Sequence, residues 1–283
     1  MAQTLTKTKR RIASVNSTKK MTNAMELVAT VKLGRYKKIM EENNEYVNEI
    51  VNLIHALFGY QKEEDKSVYE KENDATKELV IVITSNLGLC ASFNNDVYKF
   101  VDNNINKGVT DLLIIGKKGY EHFKKENYSV IDSFVSLNEK LVYEDVVKLG
   151  RELSTLFENA KYKSVKIIYT HYVNSIKFVP EIKTIFPIKD EEKLSSELGY
   201  APIFDPSIKT LIEDLVPIYI TSFLYQRIIE STVSEQASRR TAMDNATDNA
   251  NELIEQLTLE YNKARQTAIT QEITEVVSSS LNK

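Results

Sequence analysis

The stretch Ile218-YITSFLYQRIIESTVSEQASRRTAMDNATDNANELIEQLTLEYNKARQTAITQEITEVVSSSLN-Lys283 runs for 66 residues without a glycine or a proline. These are the residues that most readily end a helix, so their absence over such a length predicts one very long helix. At the α-helical rise it would span roughly 100 Å. The other end reads the same way. Before Gly59 the only breaker is Gly34, and the first proline of the chain is Pro180. The residues before Gly59 would make a helix of roughly 87 Å. A compact chain of 283 residues has a radius of gyration of only about 19 Å, so both helices are expected to protrude or run along one another.

Periodicity supports the reading. Ile12, Val15, Met21, Met25, Val28, Ile39, Val47, Ile50, Ile54 and Leu57 recur mostly at three- and four-residue steps or their sums, which places them on one helical face. Ile220, Leu224 and Ile228, then Leu253, Leu257, Tyr261, Ala264 and Ala268, keep a similar rhythm. Between them Ala237 to Ala250 offers mainly Ala, Met, Thr and Asn, a small-residue stripe that lets two helices approach closely. Two terminal helices with matching stripes, expected over 1–60 and 201–283, should pair as an antiparallel coiled coil.

The middle, 78–200, has another texture. Glu78-LVIVIT-Ser85, Asp111-LLII-Gly116, Ser129-VIDSF-Val135 and Ser164-VKIIYTHY-Val173 are β-branched runs, separated by helical patterns at 93–107, 117–126 and 143–160. This alternation predicts an α/β, Rossmann-like domain of mainly parallel strands covered on both faces. Ser175-IKFVPEIKTIFP-Ile188 follows a tight connection and should pair antiparallel with its predecessor at an edge, where Pro180 and Pro187 are tolerated. The charged segments 61–77 and 189–200 read as joints between this domain and the helices.

Composition narrows the function. With 37 Lys+Arg against 40 Asp+Glu and 42% hydrophobic residues the chain is an ordinary folded protein rather than a disordered one. No apolar run is long enough for a membrane span, and MAQTLTKTKRRIASVNSTKK lacks the apolar core of a secretion signal. The single thiol, Cys90, forbids an internal disulfide and cannot build a Cys-based zinc site alone.

Candidate sites are few. A βαβ unit invites a nucleotide, and Thr84-Ser-Asn-Leu-Gly-Leu-Cys90 is the loop where phosphate would sit. It has only Gly88, and neither the dinucleotide fingerprint nor the phosphate-loop Lys-Ser/Thr pattern occurs, so no bound cofactor is expected. Gly116-Lys-Lys-Gly119 reads as a strand-to-helix turn. His55, His122 and His171 lack paired ligand spacing, so no metal is expected, and Cys90 reads as a small packing residue. No catalytic constellation emerges.

Charge is uneven. Residues 1–40 hold ten Lys and Arg against Glu26 alone, a balance of +9, which leaves −12 for the rest of a chain of net charge −3. Solvated charge, a nucleic-acid arm and a face meeting an acidic protein surface are the three readings of this helix. The buried stripe on the same helix and the lack of aromatics before Tyr36 favour the protein partner over nucleic acid. Ser234-EQASRRTAMDNATDNAN-Glu252 is too poor in large apolar groups to gain much from burial, so its exposed faces are expected to touch something larger.

These terminal motifs, with Lys9-RRIASVNSTKKMTNAMELVATVK-Leu33, Tyr261-NKARQTAITQEITEVV-Ser278, Ile83-TSNLGLCASF-Asn94, Leu112-LIIGKKGYEH-Phe123 and Phe204-Asp-Pro206, resemble the gamma subunit of F-type ATP synthases along nearly the whole chain. The resemblance implies a central rotor shaft that catalyses nothing itself, inside a ring of alpha and beta subunits that bind Mg-ATP and ADP. It implies further partners in epsilon, delta and the membrane c-ring, no nucleic acid, and indirect attachment at the cytoplasmic face of a bacterial-type plasma membrane. By the same resemblance Met25 and the basic Lys19, Lys20, Lys32 and Arg35 face the acidic loops of beta. Glu235 and Arg239 match a coupling pair, and Arg265, Gln266, Thr270 and Glu272 match polar contacts with the ring. Phe204 falls on the side of epsilon and the c-ring. The loop after the first strand departs from the family pattern, with Asn86 and Leu87 for an acid and a base and Ala91-Ser92 for a glycine pair.

Overall fold

The structure, a computed structural model, describes residues 2–61, 66–71, 73–133, 143–188, 203–205 and 207–281. The expected joint at 189–200, residues 134–135 of the third expected strand, and Pro206 lie outside these residues. In chain order the elements are α1 (Ala2–Tyr60), β1 (Glu78–Ile83), α2 (Phe93–Asn104), β2 (Thr110–Ile115), α3 (Lys117–Lys125), β3 (Ser129–Ser133), α4 (Tyr143–Glu158), β4 (Ser164–Tyr172), β5 (Phe178–Phe186) and α5 (Ile208–Leu281). They fall into two compact units: Lys32–Ser238, and Met1–Val31 with Arg239–Lys283.

In the unit Lys32–Ser238 the five strands lie in the order β3-β2-β1-β4-β5. The first four pair in parallel, and β5 closes the edge antiparallel to β4. The two-residue period of a strand splits the apolar runs between two cores. Val80, Val82, Leu112 and Ile114 meet Val97 and Val101 of α2 and Phe123 of α3 on one face. Leu79, Ile81, Ile83, Leu113 and Ile115 meet α4, α1 and α5 on the other. Here α1 presents Ile50, Ile54 and Leu57, and α5 presents Ile212, Val216, Ile220, Leu224 and Ile228. Each such fully buried side chain contributes about 1.5–3 kcal/mol, so this stripe fixes the base of both long helices to the sheet. Pro217 sits inside α5, and Thr221 Oγ1 donates to the Pro217 carbonyl at 2.8 Å.

In the other unit, α1 and α5 carry stripes at heptad spacing, the pattern of a coiled-coil seam. Thr22 and Ala29 are buried on α1, and Met243, Ala250 and Leu257 on α5. The Thr22 and Thr247 hydroxyls meet at 2.7 Å, a contact that small side chains permit.

Two glycines set the turn between β2 and α3. Gly116 has φ 107°, and a Cβ there would lie 2.2 Å from the Thr84 carbonyl oxygen. A Cβ on Gly119 would lie 2.5 Å from Thr84 Oγ1, which accepts the Gly119 N–H at 3.0 Å. Gly116→Ala is expected to cost about 1–3 kcal/mol from backbone strain alone, plus the clash, read as a lowered urea midpoint of the full chain. An unchanged midpoint would refute this account of the turn.

At the amino end of the sheet Asp111 accepts from Ser129 Oγ at 2.6 Å, Lys77 Nζ at 3.1 Å and Tyr162 Oη at 3.1 Å. Burial alone would raise this carboxyl, but the hydrogen bonds outweigh it and hold Asp111 below its ordinary value. Burial and Asp111 push the Tyr162 phenol up to about 12. Glu78, opposed by burial but held by Lys166 and Ser164, is also lowered. A depressed folded-state carboxylate stabilises above its unfolded value and loses that contribution as pH falls through the folded one. The unfolded values are about 3.9 and 4.3, so the loss sets in near and below pH 4. Asp111→Asn is expected to flatten the pH dependence of the urea midpoint between about pH 5 and pH 3. A curve as steep as that of the parent chain would refute the role of Asp111.

Candidate functional site

Strand order reverses between β1 and β4, and open α/β sheets bind ligands in the crevice at the carboxyl ends of such neighbours. The loop after β1 is tightly built. Ser85 N–H donates to Asn94 Oδ1 at 3.0 Å, Asn94 Nδ2 donates to Ser85 Oγ at 2.7 Å, and Lys117 N–H donates to Asn86 Oδ1 at 2.8 Å. Leu89 and Ala91 adopt positive φ, and their neighbour Cys90 is buried with Asn94 Nδ2 3.3 Å from its sulfur.

α5 stands against this crevice. Ser238 Oγ donates to the Cys90 carbonyl at 2.7 Å, and Ser234 Oγ donates to the Thr170 carbonyl of β4 at 3.2 Å. Small hydroxyl residues let the helix approach the strand ends closely, and their O–H groups satisfy carbonyls that the approach takes out of water. For Ser234 to Arg239 this corrects the expectation that the polar faces of 234–252 turn outward, whereas most of the run from Arg240 onward is exposed. Ser234 to Arg239 are all buried within this chain, and exposure of the run begins at Arg240.

One turn earlier lies a residue that sequence reading did not single out. Glu230, buried on α5, contacts His171 Nδ1 of β4, accepts the Tyr172 N–H at 3.3 Å and accepts Arg227 Nη1 at 2.8 Å. The Arg227 guanidinium lies 4.8 Å from the Tyr169 ring centre and 4.9 Å from that of Phe223. The signal was an acid inside the apolar run Phe223-LYQRII-Glu230 with Arg227 three residues before it. Its partner His171 is 59 residues away in the chain, a distance local reading does not cross. His122 stacks on Tyr98 at 3.8 Å between ring centres. No group of three or more metal-ligating side chains occurs among the described residues.

The residues singled out by resemblance divide by burial. Glu235 and Arg239, one helical turn apart on α5, are buried at 7% and 6% exposure. Arg265, Gln266, Thr270 and Glu272 are exposed on α5. On α1 Lys20, Lys32 and Arg35 are exposed and Met25 is half-buried. Lys19 is half-buried between Val15 and Thr22 on the seam stripe, and its carbonyl accepts Thr22 Oγ1 at 3.0 Å. Phe204 is half-buried with its ring 5.7 Å from that of Tyr60. Exposed apolar side chains lie among the exposed polar ones. Met21, Leu27, Val28 and Val31 on α1, and Ile273, Val276 and Val277 on α5, are each at least half exposed.

The arrangement defines a partner-binding protein: paired helices with apolar and basic surface, and an α/β domain whose ligand crevice is lined by its own helix. A family model described as ATP synthase matches residues 4–280. The chain is 38% identical over 279 residues to the ATP synthase gamma chain of Mycoplasma capricolum subsp. capricolum, covering 97% of each chain. It is 38% identical over 274 residues to that of Clostridium novyi, covering 95% of this chain and 94% of the relative. The chain belongs to the ATP synthase gamma chain family. In fold it is similar to a chain of the rotor of the Euglena gracilis mitochondrial ATP synthase, with a TM-score of 0.68 at 17% identity over 95% of this chain and 100% of that one. It is also similar to a chain of the central stalk and c-ring of the Tetrahymena thermophila mitochondrial ATP synthase, with a TM-score of 0.62 at 24% identity over 80% of this chain and 99% of that one. No helix among the described residues is long and apolar enough to cross a membrane.

Proposed function

We propose that this chain is the central rotor shaft of an F-type ATP synthase or ATPase and carries no catalytic residue of its own. The family match along residues 4–280 carries the reading. The mechanism is differential contact. One asymmetric shaft that touches three chemically identical beta subunits favours a different conformation of each, so turning it cycles their affinities for Mg-ATP and ADP. To move one site from almost wholly open to almost wholly closed takes about 5.5 kcal/mol of differential contact. The exposed Leu27, Val28 and Val31 beside the basic Lys20, Lys32 and Arg35 supply an apolar and cationic face suited to acidic loops of beta. Met25 sits at the edge of this face, and Arg265, Gln266, Thr270 and Glu272 offer polar contacts to the ring.

Glu235 and Arg239 act from inside, by setting the position of α5 rather than by touching a partner. Phe204 and the α/β domain face epsilon and the c-ring, which hold the chain at the cytoplasmic side of a bacterial-type membrane without a span of its own, and delta is a further partner of the assembly. The test is ATP turnover of co-expressed alpha and beta with and without this chain. Turnover that depends on the chain supports the shaft. Equal turnover with no co-purification of the three would overturn it.

A further inference from the structure

A cleft of about 250 Å³ opens in the unit Lys32–Ser238 where α1, β5 and α5 converge. Its polar lining includes Asn44 and Asn48 of α1, Lys183 and Thr184 of β5, and Arg227 of α5, and no carboxylate among the described residues lines it. Val47, Val51, Tyr219 and Phe223 form an apolar floor beside these groups.

Several of these polar groups keep a donor without an acceptor among the described residues. Lys183 is exposed and has no ion-pair or hydrogen-bond partner among the described residues. Asn43 Nδ2 donates to Gln226 Oε1 at 2.9 Å, which turns Gln226 Nε2 toward Asn44 Oδ1 at 3.5 Å. The Asn44 Nδ2 is thereby left without an acceptor among the described residues. Arg227 spends one N–H on Glu230, and its guanidinium carbon lies over the rings of Tyr169 and Phe223. Its remaining donors lie on the edge of a guanidinium already fixed in place, so little rotamer freedom is lost when they meet an acceptor. A held Arg, a Lys unpaired among the described residues and primary amides, around a space that no described carboxylate lines, match the several acceptor oxygens of a tetrahedral anion.

We infer that this cleft binds a phosphate group, either free phosphate or the head of an anionic phospholipid whose apolar part rests on Tyr219 and Phe223. The inference is independent of the rotor reading, because it concerns the base of the helices and is read on the full chain without partners. The test titrates inorganic phosphate against chloride at constant ionic strength and follows binding by calorimetry. Saturable binding is expected, weakened about tenfold by Lys183→Gln and restored to within about twofold by Lys183→Arg, because a screened ion pair with a phosphate contributes on that order. Lys183 is exposed, so neither variant disturbs folding. Lys117→Gln, at an exposed position at the start of α3, serves as the control and leaves binding unchanged.

Co-sedimentation with phosphatidylglycerol vesicles separates the two sources. Sedimentation of the parent chain that is lost in Lys183→Gln assigns the site to a headgroup, whereas phosphate binding without sedimentation assigns it to the free anion. Phosphate heats that do not saturate, or a Lys183→Gln chain that binds as tightly as its parent, would overturn the proposal.

Discussion

Ser238→Leu is expected to destabilise the chain by about 3 kcal/mol or more, with Ser234→Leu close behind. Both serines are at most 2% exposed; the Ser238 hydroxyl donates to the Cys90 carbonyl, and the Ser234 hydroxyl shares its proton between the carbonyls of Thr170 and Glu230. Leucine adds three carbons where the helix already stands against Cys90 and Thr170, and it removes the hydroxyl donor, although the Cys90 carbonyl keeps the Phe93 N–H at 3.1 Å. Overpacking costs about 1–3 kcal/mol, and the lost hydrogen bond about 0.5–1.5 kcal/mol more. Ser238→Ala removes only the hydroxyl and should cost about 1 kcal/mol, so the series separates bulk from hydrogen bonding. Urea midpoints of the full chain measure both. A leucine variant as stable as the alanine one would mean that the helix does not stand in the crevice.

The second large effect lies in function and leaves stability alone. Replacing Arg265, Gln266, Thr270 and Glu272 together by alanine is expected to change the stability of the isolated chain by less than about 1 kcal/mol, because all four are exposed on α5. In the complex with alpha and beta the same replacement is expected to lower ATP turnover about tenfold, equivalent to about 1.4 kcal/mol of lost transition-state stabilisation. A destabilised chain would place these residues in the fold, and unchanged turnover would place them outside the ring contact. Comparison with Ser238→Ala, which is buried and far along α5, tells a contact effect from a folding effect.

Much of this architecture is written in local sequence. The two long helices follow from missing glycine and proline, because a helix continues wherever nothing interrupts its backbone hydrogen bonds. β1 and β2 are buried along nearly their whole length, so their continuous β-branched runs announced parallel strands. The antiparallel edge was equally legible, since Pro180 lies in β5, where one side of the strand has no ladder to complete.

The run from Ser234 to Arg239 shows where local reading stops. Its lack of large apolar groups looked like exposure, yet these residues are among the most buried of α5. Burial there comes from close backbone approach and hydroxyl pairing, and neither leaves a periodic apolar signal. Lys19 is the converse case: its charge read as surface, whereas at its heptad position it is half-buried.

Sequence alone therefore determined the helices, the alternation of strands and helices between them, the edge strand and the family, because each depends on neighbours within a few turns or on motifs that stay contiguous. Only the tertiary structure decided that α5 lines the crevice of the sheet, that Glu230 meets His171, and that Asn44, Lys183 and Arg227 share one cleft. Those residues come from elements far apart in the chain, and their juxtaposition arises from packing two cores against one sheet, a constraint that no local window of residues contains.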